Sequence, residues 1–352
     1  MTGQAARATL LFVGLWVLAR RTAAAVLFAL PVIAAITARS ASATPMVLDV
    51  SPQPVVLIQH TQPVWITTWD RPQVSVDAGN EPPQIDRRPD RLAGTNPGTP
   101  YSVPIPAQAV PGQAGSPVMM GPENFPVTLP PGPHDTVRIV LPPNVANVTI
   151  PADTAVLSIN GLSATQILGY HGQLIAQQQA GPLVLRNVSG EAFAQNLRGQ
   201  IFIADSNFDR LRVRTALNNI VLQRDNVRQI EASSTYGNIT FNNGSFEPGL
   251  ARFETVTGHV ALGVNGGANV AVRGQPGQIF QSFDRPTPFI DRGGGEANAM
   301  IGGGGPLVNV VTQRGRVYLY DGSILNKRAL PPHWNQVRAP LERLRQFPRR
   351  QP

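Results

Sequence analysis

Short apolar segments return along this chain every 18 to 21 residues, and that period limits what it can fold into more than any other feature. One column of apolar residues runs Leu185, Ile203, Leu222, Phe241 and Leu262, at spacings of 18, 19, 19 and 21. A second column, half a period away, runs Leu174, Ala192, Leu211, Ile230 and Ala251 at the same four spacings. In three units a charged residue, Arg212, Glu231 or Arg252, stands between two apolar ones, as a strand with one inward and one outward face requires. Two coordinated columns at one period predict strands coiled around a narrow apolar axis. The expected fold is all-β, a β-solenoid or β-helix-like stack of short strands.

The positions between the strands fit the same reading. Gly181, Gly199, Asn218, Gly237 and Gly258 each follow a second-column residue by seven positions, and Asn187, Asn207, Asn226, Asn243 and Asn265 fall at the other corner. Glycine and asparagine enter positive φ at least cost, so both columns read as corners of the coil. A single coil buries too few aliphatic side chains to offset the entropy of ordering its backbone, so the unit must repeat and share its core with its neighbours.

Proline divides the chain. Residues 82–133 hold 14 of its 34 prolines, whereas 155–262 hold only Pro182 and Pro248. Proline cannot donate to a β-ladder, so the first stretch is a poor sheet and the second a permissible one. The expected organisation is a leader over 1–43, an N-terminal strand region over 44–80, and a proline-rich insertion over 81–134. A repeat domain follows over 135–322, then a basic tail with a short helix over 323–352. Val103, Ile105, Val110 and Phe125 give the insertion apolar groups that could lie on a neighbouring β face. Glycines at 293–295 and 302–305 read as a loop inserted before a last strand pair around Gly315; Pro306 stands where a phosphate loop would need its Lys and Ser or Thr. Val337, Leu341, Leu344 and Phe347 have helical spacing and would cap an open end of the stack.

Within the leader, Arg7, Arg20 and Arg21 accompany an apolar run over 22–36, and Ala41-Ser42-Ala43 is a small-x-small cleavage pattern. This predicts export, with cleavage before Thr44; a retained anchor is the alternative. The compartment would be periplasm, cell surface or medium. The net charge of +8 resides at the ends: 1–43 carry +4 and 327–352 carry +6, which leaves 8 − 4 − 6 = −2 for the body. A slightly acidic body lacks the clustered cations that phosphate neutralisation needs, so no nucleic-acid partner is expected. Membrane contact is expected only through the leader or the basic tail. Cysteine is absent, which excludes a disulfide framework, thiol catalysis and a lipid anchor on an N-terminal Cys.

The run Ala251-Arg252-Phe253-Glu254-Thr255-Val256-Thr257-Gly258-His259-Val260-Ala261-Leu262 resembles the repeat unit of the bacterial putative-adhesin β-solenoid family, a domain of unknown function in exported envelope proteins. Thr312-Gln313-Arg314-Gly315-Arg316-Val317-Tyr318-Leu319 is similar to the same unit, and Ile66-Thr67-Thr68-Trp69-Asp70-Arg71-Pro72-Gln73-Val74-Ser75-Val76 to the strand pair that opens such domains. The likeness covers 46–80 and 135–322; it departs at the proline-rich insertion and at Asn218. It implies an exported, non-enzymatic solenoid and transfers no site residues.

Motifs for chemistry are scarce. His60, His134, His171, His259 and His333 are scattered without a second ligand at metal spacing, so no metal is expected, and no G-x-S-x-G elbow is present. Four Asn-x-Ser/Thr matches, at Asn147, Asn187, Asn238 and Asn243, are what chance gives in a chain rich in turn residues. No catalytic, cofactor-binding or metal-binding residue is assigned, and no cofactor is expected. Stacked carboxylates from adjacent coils, Asp205, Asp209 and Asp225, supply the enzymatic alternative, a polysaccharide-active solenoid. The leading expectation is a scaffold that meets an envelope or surface ligand, polysaccharide or protein, through outward positions such as Arg212, Glu231, Arg252 and Glu254. Self-association into a filament is the other structural alternative.

Overall fold

A computed structural model describes residues 44–89, 134–283 and 287–322, together with the backbone of the strands Tyr101–Ile105, Gln108–Val110, Val118–Met120 and Glu123–Val127. The leader, the residues at 336–347 with helical spacing and most of the proline-rich insertion lie outside the described residues. The described residues are all β, without a helix, and 25 strands join one hydrogen-bonded system.

Two parallel ladders form the body. In sheet 1, nine successive parallel pairings link ten strands, among them Val55–His60, His171–Gln178, Asn207–Thr215 and Leu307–Arg314. In sheet 2, nine more link ten strands, among them Val64–Trp69, Leu183–Arg186, Ile220–Gln223 and Val317–Asp321. One strand from each sheet makes a coil. Both apolar columns are ladder columns in register. Leu185 faces Ile203, then Leu222, Phe241 and Leu262. Leu174 faces Ala192, then Leu211, Ile230 and Ala251. All ten side chains are at most 2% exposed and share one core.

Spatial order departs from chain order at both ends. Coil 55–69 lies between coils 135–151 and 156–168, which are consecutive in sequence. Coil 307–321 likewise lies between the consecutive coils 251–264 and 268–282. The pair around Gly315 is therefore the last coil of the repeat region in sequence and the last but one in space. Beyond the parallel stack, antiparallel strands cover three of its four edges. Gln84–Pro89 pairs with Asp135–Val140, Gln73–Asp77 with Ala146–Pro151, and Glu296–Ile301 with Ala268–Arg273. Asp135 pins the first of these to the stack: its Oδ2 accepts from the Ser51 amide at 2.7 Å and from Arg87 at 2.8 Å. Burial pushes the Asp135 carboxyl up, but those donors outweigh it and hold it below the usual carboxylate range.

The corners differ from the sequence expectation. Left-handed residues do form a full column, but it runs Gly169, Asn187, Asp205, Arg224 and Asn243, and in the other expected column Gly181 is left-handed at φ 73°. Asn207 and Asn226 instead begin strands, and Asn265 has no positive φ. At the opposite corner, Gly199, Gly237 and Gly315 are required by close approach. A Cβ on each would collide with the carbonyl of the residue stacked one coil below, Gly181, Asn218 and Gly258 respectively.

Candidate functional site

The outward faces are the candidate site, and the two sheets present opposite kinds. Sheet 2 strands carry unbroken apolar triplets, such as Leu183-Val184-Leu185, Ile201-Phe202-Ile203 and Ile220-Val221-Leu222. Alternation turns Val184, Phe202 and Val221 outward, in line with Ala261 and Tyr318, yet all five are buried. A continuous apolar run signals a strand covered on both sides, and the outward reading of alternation missed it.

Sheet 1 changes character along the stack. Toward the N-terminal coils its outer face is apolar: Val55, Val156, Ile175 and Phe193 form a cluster closed by Val127, which belongs to Glu123–Val127 in the proline-rich region. Val127 is not among the apolar residues of the insertion that the sequence singled out; the side chains of Val103, Ile105, Val110 and Phe125 lie outside the described residues. From coil 207–223 onward the same face is ionic, with Glu191 of the preceding coil at its border. The four outward residues singled out by sequence fall together: Arg212 faces Glu231, Glu231 faces Arg252, and Glu254 is one strand position further out, opposite Ser233. Glu231 holds two guanidinium groups, Arg212 at 2.9 Å and Arg214 at 3.3 Å. Arg252 reaches Glu254 at 2.7 Å, and Arg210 approaches Glu191 at 3.7 Å. These side chains are one quarter to one half exposed. Together they form a ribbon of alternating charge with a ladder repeat of about 4.8 Å.

The three carboxylates of the enzymatic alternative occupy different environments. Asp205, at the left-handed corner, accepts a two-pronged ion pair from Arg224 at 2.6 and 2.7 Å. Asp209 lies 3.5 Å from Arg228, which also reaches Glu247 at 3.2 Å. Asp225 is buried beneath the corner, where its two oxygens accept the amides of Ser206 and Gln223, each at 2.9 Å. Burial pushes the Asp225 carboxyl well above the usual range, against the pull of those two amides. Asp225 holds the backbone of adjacent coils, and Asp205 and Asp209 tie one coil to the next through arginine.

The histidines are also built into the frame. His60 lies over Gly161, where a Cβ would strike its ring, with Nδ1 donating to the Gln62 carbonyl at 2.7 Å and Nε2 accepting from Thr165 Oγ1 at 3.0 Å. His259 accepts the Arg316 amide at Nδ1, 3.0 Å away. His134 contacts the Gln53 carbonyl and His171 the Ser189 hydroxyl, while His333 lies outside the described residues. Among the described residues, no group of three His, Asp or Glu side chains is placed to hold a metal ion.

One column escaped sequence reasoning. Gln178, Asn196, Thr215, Ser234, Thr255 and Thr312 stack in register, all buried. Asn196 donates to the Gly181 carbonyl at 2.8 Å, Thr255 to Gly237 at 3.0 Å, and Thr312 to Gly258 at 3.2 Å. Each side chain satisfies a corner carbonyl of the coil below. Its sequence signal is a small or amide-bearing polar residue three positions before each corner Gly or Asn.

No family model matches the chain, and no curated protein matches it. Among solved structures, it is similar to a putative cell adhesion protein from Clostridium sporogenes. The identity is 10%, over 79% of this chain and 97% of that one, with a TM-score of 0.23. A likeness this distant carries no argument about function.

Proposed function

We propose that the chain is an exported, non-enzymatic scaffold of the bacterial envelope or surface, which binds an extended polymer along the ionic outer face of sheet 1. The observation that supports this reading is the ribbon of Glu191, Arg210, Arg212, Arg214, Glu231, Arg252 and Glu254. It is partly exposed, and its side chains stand on strands held in parallel register. Such a face suits a ligand that carries charged or polar groups along its own length, such as a charged polysaccharide or an extended peptide, because successive rungs offer basic and acidic partners in turn. The leader over 1–43 supports export.

The test is a binding screen of the full chain against envelope polysaccharides and surface glycans, followed by Arg212→Ala and Arg252→Ala in one chain. Binding that weakens at least tenfold in the double variant, with unchanged thermal stability, is the expected result. No binding across the panel, or binding indifferent to both arginines, overturns the reading. Turnover of any polysaccharide that survives loss of both arginines but not of Asp205 and Asp209 would favour the enzymatic alternative.

A further inference from the structure

The position of coil 307–321 opens a route to association between copies. Coils 251–264 and 268–282 follow each other directly in the chain, separated only by residues 265–267, yet they do not touch as ladder neighbours. Strand Leu307–Arg314 lies between them in sheet 1 and Val317–Asp321 in sheet 2. Ala251 faces Val308, which faces Val270; Val260 faces Val317, which faces Ile279. The flanking coils are thus 19 residues apart in both sheets, since 270 − 251 and 279 − 260 are each 19. That is the period of the coils that do stack directly.

Withdrawing coil 307–321 therefore breaks two ladders per sheet but lets the flanking coils restore one, in register. A coil drawn from the middle of the stack has no such compensation. The hinge is in place as well: Gly302, Gly303, Gly304 and Gly305 precede the coil, three of them at positive φ. Coil 55–69 is intercalated in the same way but is tethered, because its chain runs on into Gln73–Asp77 and Gln84–Pro89, which cap both sheets beyond coil 135–151.

We propose that coil 307–321 is an exchangeable element: it leaves its slot as a unit and fills the same slot in a second copy of the chain, joining two molecules by reciprocal coil exchange. The second copy is the fitting partner because the slot pairs this coil in register on both flanks of both sheets, and a withdrawn coil carries two open ladder edges that need that match. The inference does not depend on the ligand of sheet 1.

The chain has no cysteine, so introduced thiols report cleanly. Arg252 and Asn309 are ladder partners on the outer face of sheet 1, about 4.8 Å apart and within disulfide reach. Full-length Arg252→Cys and full-length Asn309→Cys are mixed, unfolded and refolded together over a range of concentrations, then oxidised. Exchange predicts a mixed disulfide dimer at least tenfold above that from an Asn309→Cys and Glu191→Cys mixture, rising with concentration and matched by dimer in light scattering. A yield at the control level at every concentration overturns the proposal. A second variant, Arg252→Cys with Ala271→Cys, joins two positions about 9.6 Å apart while the slot is filled, beyond disulfide reach. Its closure within monomers, with no mixed dimer from the first experiment, would show withdrawal without exchange and would equally overturn it.

Discussion

Buried polar side chains in this core have geometric duties. Thr255 is fully buried and gives its hydroxyl to the Gly237 carbonyl, at the point where the backbone of one coil comes so close to the next that only glycine fits. Thr255→Val keeps the shape and leaves that carbonyl without its donor. It should lower the unfolding free energy by about 1 to 2 kcal/mol in urea titrations. His60 and His259 place a pH dependence on the same frame. Burial lowers both imidazoles, with Arg316 adding to the effect at His259, so the unfolded chain binds protons more readily than the folded one. Their contribution to stability is full above about pH 6.5 and is lost as pH falls through that value toward the folded pKa. Urea midpoints should therefore drop from pH 7.5 to pH 5.5, and more steeply in the native chain than in His60→Gln. Asp225 acts in the opposite sense, because its raised carboxyl makes the folded chain the better proton binder above the usual carboxylate range.

Each coil is shaped by two corners that work differently. At the first, backbone strain selects the residue: Asn187, Asp205, Arg224 and Asn243 all take φ between 51° and 59°. Side chains other than glycine enter that region at a cost, which asparagine bears more easily than most. Asn243→Gly should leave stability within about 0.5 kcal/mol of the native chain, while Asn243→Ala should cost about 1 kcal/mol, read by thermal unfolding of the two variants side by side. Asp205 and Arg224, poorer residents of that conformation, hold each other by their ion pair across adjacent coils. The second corner selects by contact. Gly199 and Gly237 are glycines because of the carbonyl beneath them, so their conservative replacement fails even where φ would allow it. Reading both corners as positive-φ turns gives the right composition, and the right cause at Gly181, but the wrong cause at Gly199 and Gly237, since stacking distance is a property of two coils and not of one.

At the scale of the molecule, the proline-rich region contributes to the body through Val127, which closes the apolar patch of Val55, Val156, Ile175 and Phe193 on sheet 1. Val127→Asp should uncover that patch and raise hydrophobic-dye binding while the far-ultraviolet strand signal stays as it is; unchanged dye binding would show that the patch does not depend on Val127. The ends of the stack obey a second rule. Antiparallel strands close most of the edges that a parallel solenoid leaves open, and Gln84–Pro89 brings Asp86, Arg87 and Arg88 to one of them, a charged rim that resists pairing with another sheet.

Period, inward columns, strand identity and the ionic outer residues were legible in the sequence, because each depends on side chains repeated at fixed spacing and a ladder keeps that spacing in register. Arg212, Glu231 and Arg252 needed no structure to be placed on one face, since alternation alone turns them outward. The burial of Val184, Phe202 and Val221 on the far side of sheet 2, and the intercalation of coils 55–69 and 307–321, were decided only in three dimensions. Any two coils of this repeat present nearly the same edge to each other, so local sequence makes many stacking orders compatible. Which order is adopted rests on the summed fit of whole coils and on where the connecting segments let them reach, and neither quantity is local to a residue.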